Sequence, residues 1–221
     1  MNRGNLFVSL CVITGLALAG SIAIAQQAKE QAHESKIAAH GQQEANLPPG
    51  WTEADMQACT AAGTPGKMHA HLAESVGEWQ GQNTMWMGPG SAPIKSECTA
   101  NFAAIMDGRF IKCTVTGEMP GMGPFEGFGL YGYDNVAQKF VANWVDNCGT
   151  GIMDGTGELS PDGKTLTWKF TYNCPITKKP TVMREVETTT GPNTKTLEMF
   201  GTDPKSGTEY KMIVIEYTRK A

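Results

Sequence analysis

The sequence predicts an all-β protein: an up-and-down antiparallel β-barrel of about ten strands, preceded by one or two short helices. From Gly77 onward, strand-like runs recur roughly every 10–15 residues. The connections between them are short and carry Gly, Pro, Asn or Asp, as β-hairpins require. No helix-length segment separates the runs, which excludes parallel crossovers. A meander of this length normally closes on itself, because closure removes its exposed edges.

The N-terminus has the features of a secretory signal peptide over residues 1–25. Arg3 supplies a positive charge, LFVSLCVITGLALAG is an apolar core, and AIA at 23–25 fits the small-x-small cleavage pattern. The core is shorter than the ~18 residues that a membrane span usually needs, so we expect cleavage rather than anchoring. The protein is therefore predicted to be periplasmic or secreted, with no membrane span after signal cleavage.

Two segments separate the signal from the predicted barrel. Residues 26–50 are rich in Gln, Ala and His and lack apolar periodicity, which predicts a flexible linker. Residues 51–76 are predicted to form a short helical segment. Thr52 can cap a helix over TEADMQACTAA, and Met68 and Leu72 share one face of a second helix.

The predicted barrel domain spans residues 77–221. Its clearest strand is TLTWKFTY, in which apolar and aromatic residues alternate with Thr and Lys. The predicted strands are 77–87, 94–104, 109–117, 125–134, 138–146, 151–159, 164–172, 181–190, 194–201 and 209–219.

The strand that begins FEGFGLYGY is unusual because it combines aromatic residues with glycines on one face. Period-two alternation places Gly127, Gly129, Tyr131 and Tyr133 together. Glycine weakens a strand and often marks a place where something else approaches closely. Two interpretations remain open: large side chains from neighbouring strands fill the space, or the glycines make room for a ligand.

The two ends of the predicted barrel carry residues that can meet. GEW opens the first strand at Trp79, and YTR ends the last strand at Arg219. The first and last strands of a closed meander are neighbours, so Arg219 is expected to stack on the Trp79 ring and mark barrel closure. This arrangement resembles the Gly-x-Trp and C-terminal Arg pattern of lipocalins and their calycin relatives.

A closer resemblance covers residues 65–219. Its blocks occur in the order PGKMHAHLAESVGEW, TMWMGPGSAP, MDGRF, FEGFGLYGYDN, WVDNCGTG and YTR. They resemble the bacterial family catalogued as domain of unknown function 1579. The resemblance implies a lipocalin-like β-barrel and implies no catalytic residue. The cysteines at 98, 113, 148 and 174 depart from the family pattern.

The charge of the chain limits its partners. The formal net charge is −4, and loss of Arg3 with the signal leaves 17 basic residues, from a total of 18, against 22 acidic ones. A nucleic-acid-binding domain needs a basic face, so no nucleic acid is expected. A small apolar ligand is the possible partner, no cofactor is predicted, and the oligomeric state stays open.

The cysteines predict disulfides, because exported proteins fold under oxidising conditions. Cys11 leaves with the signal, and five cysteines remain. If the SPDGK turn centres a hairpin, Cys148 and Cys174 face each other and form the first predicted bridge. A bridge between Cys98 and Cys113 fits its hairpin less well. Cys59 is the candidate for the unpaired thiol.

We predict from these features that the barrel binds a small apolar or aromatic molecule. An aromatic and glycine-rich lumen with few polar groups is typical of a ligand site. The candidate pocket residues are Trp79, Met85, Gly127, Gly129, Tyr131, Tyr133, Trp144 and Trp168.

No convincing catalytic group was found, so the chain is not predicted to be an enzyme. All histidines precede the barrel, and no nucleophile elbow, phosphate loop or zincin motif occurs. Asp134, Asp146 and Asp154 lie near strand ends, where Asp usually caps a turn. These carboxylates are therefore interpreted as turn residues.

Two alternatives to the ligand-binding barrel remain open. Thioethers and imidazoles suit Cu(I), so His69, His71, Met119 and Met122 are the candidates for a methionine-rich periplasmic copper site. The other alternative is a structural or interaction barrel whose core is filled and which binds no ligand.

Overall fold

The computed structural model describes residues 47–221; the predicted signal peptide and most of the predicted linker lie outside the described residues. Residues 47–56 belong to one compact unit, and Gln57–Ala221 form a second that contains every strand. No helix among the described residues is long and apolar enough to cross a membrane.

The helices are α1 (Glu53–Gly63) and α2 (Lys67–Ala73). The strands are β1 (Gly77–Met85), β2 (Ile94–Ile105), β3 (Phe110–Met119), β4 (Gly123–Asp134), β5 (Lys139–Asp146), β6 (Met153–Leu159), β7 (Thr165–Asn173), β8 (Pro180–Gly191), β9 (Thr194–Thr202) and β10 (Glu209–Arg219).

The strands form a closed antiparallel barrel, which confirms the predicted fold class. Each strand pairs with its neighbours in the chain, and β1 pairs with β10 to close the sheet. Closure leaves no exposed strand edge. We call the end at which β1 begins and β10 ends the near end, and the opposite end the far end.

Both predicted helices are present. The Thr52 hydroxyl accepts a hydrogen bond from the Asp55 amide at 3.2 Å, and the Asp55 carboxylate accepts one from the Thr52 amide at 2.8 Å. This reciprocal capping explains why α1 begins at Glu53. Met68 and Leu72 of α2 pack against the buried cluster that includes Phe140, as their shared face predicts.

The predicted contact between Trp79 and Arg219 is present at the near end. The two residues are paired in the β1–β10 register, and the guanidinium carbon lies 4.2 Å from the indole centroid. Arg219 also donates hydrogen bonds to the carbonyls of Glu74, at 2.7 Å, and Val76. The Trp79 indole donates to the Ser75 carbonyl at 2.8 Å. Trp79 and Arg219 therefore hold the segment that follows α2 against the barrel.

Arg219→Ala is expected to lower the free energy of unfolding by about 1–3 kcal/mol, because it removes the ring contact and two hydrogen bonds. Urea unfolding measures the change. Lys220→Ala is the matched control, because Lys220 forms only an exposed ion pair with Glu78 at 3.8 Å. Equal stability of the parent and Arg219→Ala would contradict the role of this contact in barrel closure.

The predicted disulfides are not formed in the structure. All five cysteines of the described part of the chain are free, including Cys59, which is exposed. In the β6–β7 hairpin Leu159 lies opposite Leu166, a register that differs from the one assumed for Cys148 and Cys174 and leaves them out of line. The Cys98–Cys113 pair also fails the register, because Cys98 lies opposite Gly117 and Cys113 opposite Phe102.

Candidate ligand-binding cavity

The barrel encloses a cavity of about 480 Å³. Its lining residues come from both ends of the barrel, from Leu72 and Arg219 at the near end to Met85 and Met153 at the far end. The volume lies within the range of roughly 300–1,000 Å³ that is typical of small-molecule sites. The lumen is therefore not filled by its own side chains, which argues against the filled-core alternative.

The space beside Gly127 and Gly129 is filled by aromatic side chains. A Cβ atom at Gly127 would lie 2.2 Å from Trp144 Cζ2. A Cβ atom at Gly129 would lie 2.6 Å from Tyr131 Cε2 and 2.9 Å from Trp144 Cε3. The indole of β5 thus packs flat on the β4 backbone, so these glycines admit a side chain rather than a ligand.

Gly129→Leu is expected to lower the free energy of unfolding by about 1–3 kcal/mol, because the added side chain overpacks the contact with Trp144 and Tyr131. Urea unfolding measures the loss. Gly149→Leu is the control, since no atom lies within 4 Å of the Cβ position there. A Gly129→Leu variant as stable as the control would show that the two rings do not occupy this space.

Most of the predicted pocket residues line the cavity. Those that do are Trp79, Met85, Tyr131, Trp144 and Trp168, whereas Gly127, Gly129 and Tyr133 do not. Tyr133 instead contacts the rings of His69 and Phe140, with centroid distances of 6.0 and 5.0 Å. It therefore helps α2 to pack on the barrel.

Trp168 is the centre of an aromatic wall. It is 1% exposed and makes edge contacts with Tyr131 and Phe140, at centroid distances of 5.3 and 6.2 Å. Phe170 lies 5.9 Å from it on the same strand. Interlocked rings of this kind are rigid, so one side of the cavity offers a preformed apolar surface to a ligand.

The strands β8 and β9, which follow β7 around the barrel, contribute a buried ion pair to the lumen. Lys195 is 4% exposed, and its Nζ lies 2.9 Å from a Glu187 carboxylate oxygen and 3.2 Å from the Ser75 hydroxyl. The ammonium also lies 4.0 Å from the centroid of Phe102 and 4.9 Å from that of Trp79. Two of the three ammonium donors of Lys195 are thus used within the protein, and the two rings face its charge.

Glu185, on the same strand as Glu187, is a further acidic group of the lumen, and its carboxyl has no such partner. Glu185 is 6% exposed and lines the cavity, and its carboxyl makes no hydrogen bond or ion pair within the described part of the chain. Burial, together with the neighbouring Glu187, raises the pKa of the Glu185 carboxyl to about 8, and the positive charge of Lys195 only partly opposes this rise. Its cross-strand neighbours are Trp168 on β7 and Met199 on β9, so an unpaired carboxyl stands among apolar side chains.

The buried thiols and phenols of the lumen are held in their neutral forms. Burial raises the pKa of the Cys113 thiol to about 12, and it also raises the pKa values of Cys98, Tyr131 and Tyr217. These thiols supply no thiolate at neutral pH, which is the form a cysteine nucleophile needs. They contribute apolar lining to the cavity.

Glu185, Glu187 and Lys195 were not predicted as lumen residues from the sequence. A signal was available in the period-two pattern of β9, where Lys195 shares a face with Leu197 and Met199. In β8 the same pattern places the two glutamates with Met183. Because charged residues are rare in a barrel interior, the pattern alone favoured an orientation of β8 in which Glu185 and Glu187 face outward.

The residues of the copper alternative are not brought together. His69 and His71 lie on α2, which packs at the near end, whereas Met119 ends β3 at the far end, roughly 30 Å along the strand. Met122 is exposed in the turn that follows. The four residues do not form one coordination site.

Asp134 and Asp146 hold turns, as predicted, whereas Asp154 lies within β6 and accepts a hydrogen bond from the Asn143 side chain across the sheet at 2.7 Å. Asp134 accepts hydrogen bonds from the amides of Val136 and Ala137 at 2.8 and 3.0 Å. Asp146 accepts from the Cys148 amide at 3.0 Å. These contacts are Asx turns, a common structural use of Asp.

Comparison with known families places the chain among proteins that share this barrel. A family model described as "Protein of unknown function (DUF1579)" matches residues 64–219. The chain belongs to this family. The closed barrel described above is therefore the architecture of a DUF1579 domain.

A solved structure supports the fold alone. The crystal structure of Rv2717c from M. tuberculosis is similar, with a TM-score of 0.53 and 15% sequence identity, over 72% of this chain and 100% of that chain. At this identity the likeness extends to the fold and not to function. Among curated proteins, none matches this DUF1579 chain.

Proposed function

We propose that this DUF1579 protein binds one small, largely apolar or aromatic molecule inside its barrel, and that it does so after export to the periplasm or the cell exterior. The observation that supports binding is the cavity of about 480 Å³ behind a preformed wall of aromatic side chains. Burial of apolar ligand surface there supplies roughly 25 cal/mol per Å². The signal-like N-terminus supports export.

The experiment is a titration with naphthylethanol, a neutral aromatic probe, followed by its fluorescence. The parent protein is expected to bind one probe per chain. Val115→Phe places a larger side chain in the lumen, where Val115 is 8% exposed and lines the cavity. We expect this variant to bind the probe about tenfold more weakly, because it removes space that the ligand needs.

Val182→Phe is the matched control. It makes the same change on the outer face of β8, where Val182 is 49% exposed. We expect its probe affinity to equal that of the parent, and urea unfolding to show that all three proteins are folded. No binding by the parent, or equal binding by parent and Val115→Phe, would contradict a ligand site in the lumen.

A further inference from the structure

Glu185 raises a question that apolar ligand binding does not answer. Buried polar side chains in proteins are normally hydrogen-bonded. Glu185 is 6% exposed, and its carboxyl has no hydrogen bond or ion pair in the described part of the chain, yet it faces a cavity with room for a ligand. A carboxyl without a hydrogen-bond partner on the wall of a cavity indicates that the ligand carries a polar group that binds it.

The charges around the cavity indicate whether the ligand group that binds there is cationic or anionic. Lys195 already binds Glu187 at 2.9 Å, Ser75 at 3.2 Å and the Phe102 ring at 4.0 Å. An anionic ligand would have to compete with Glu187 for that ammonium. Glu185 is the group left over, and an acidic group left over in a desolvated site favours a cationic partner.

We infer that the lumen ligand is an apolar organic amine whose ammonium head binds the Glu185 carboxylate and whose body packs on Trp168 and Met199. This inference rests on the proposed function and names the class of its ligand. The two packing residues are the cross-strand neighbours of Glu185 on either side. Amine donors would satisfy the carboxylate, and aromatic rings nearby favour a cation.

Binding of an amine should also change the protonation state of Glu185, and this change can be measured separately from affinity. Burial raises the pKa of this carboxyl to about 8, so it is mostly protonated in the empty protein at neutral pH. A bound ammonium favours the ionised form, and one proton is released. The other titratable groups around this part of the lumen are Glu187 on the same strand, Lys195 on β9, Tyr131 on β4, Cys113 on β3 and Tyr217 on β10.

The test compares three probes that share one aromatic body: naphthylethylamine, naphthylethanol and naphthylacetate. We expect the parent to bind the amine at least about tenfold more tightly than the alcohol, and the acid most weakly. Titrations in buffers of different ionisation enthalpy should show proton release with the amine alone. Glu185→Gln should bind amine and alcohol equally.

Glu158→Gln is the matched control, because it removes the same charge from an exposed position on β6. It should keep the preference of the parent for the amine. Equal binding of amine and alcohol by the parent, or tightest binding of the acid, would overturn the amine inference and leave the apolar site standing. Failure of the parent to bind any of the three probes would overturn the proposed function with it.

Discussion

Lys195→Met is expected to lower the free energy of unfolding by about 2–4 kcal/mol. The variant keeps the apolar stem among the rings of Phe102 and Trp79 but removes the charge that pairs with Glu187. Breaking a buried ion pair from one side typically costs about 3–5 kcal/mol, because the remaining charge is left without a partner. The expected loss of stability is smaller here, because the Glu187 side chain is 23% exposed and water partly solvates its charge.

Urea unfolding at neutral pH measures this loss, and two further variants show its cause. In the double variant Lys195→Met with Glu187→Leu, no unpaired charge of this pair remains, so most of the stability should return. Lys220→Met removes an exposed ion pair and should change stability by less than about 1 kcal/mol. A double variant no more stable than Lys195→Met alone would show that the loss comes from packing rather than from charge.

Glu185→Gln is expected to remove a pH dependence of stability that the parent shows between about pH 4.5 and pH 8. The pKa of Glu185 is raised to about 8 in the folded protein from an ordinary value of 4.5. Across that window the unfolded chain has released the proton and the folded chain still holds it. The stability of the parent therefore falls as pH rises through the window, by an amount on the order of a few kcal/mol.

Glutamine has the shape of the protonated acid and does not ionise. The variant should therefore match the parent near pH 4.5 and exceed its stability near pH 8.5, as judged by urea unfolding at both values. Glu158→Gln, on the exposed outer face, should keep the slope of the parent. Identical slopes for Glu185→Gln and the parent would contradict a buried, unpaired carboxyl at this position.

The order and type of the barrel elements could be predicted because they depend on local chemistry. In β7, Leu166, Trp168 and Phe170 alternate with polar residues and are buried together, as period-two alternation requires. The turns between strands carry residues suited to hairpins. The Trp79–Arg219 contact could be predicted because barrel closure makes the first and last strands neighbours.

The composition of the lumen could not be predicted, because it depends on packing across the barrel. Parity placed Gly127 and Gly129 on the inner face, but only the structure shows that the Trp144 ring covers both. The pair between Glu187 and Lys195 needs the β8–β9 register together with Ser75 from outside the sheet. A predicted register in error by a few residues likewise misplaced the Cys148–Cys174 bridge.

The location of a bound molecule tests the central claim most directly. The protein would be crystallised with bromonaphthylethylamine, and the anomalous signal of bromine would locate the ring. We expect one bromine peak per chain inside the barrel, with the ammonium within hydrogen-bond distance of Glu185. A peak only on the outer surface, or a lumen that stays without bromine at saturating concentrations of the amine, would contradict it.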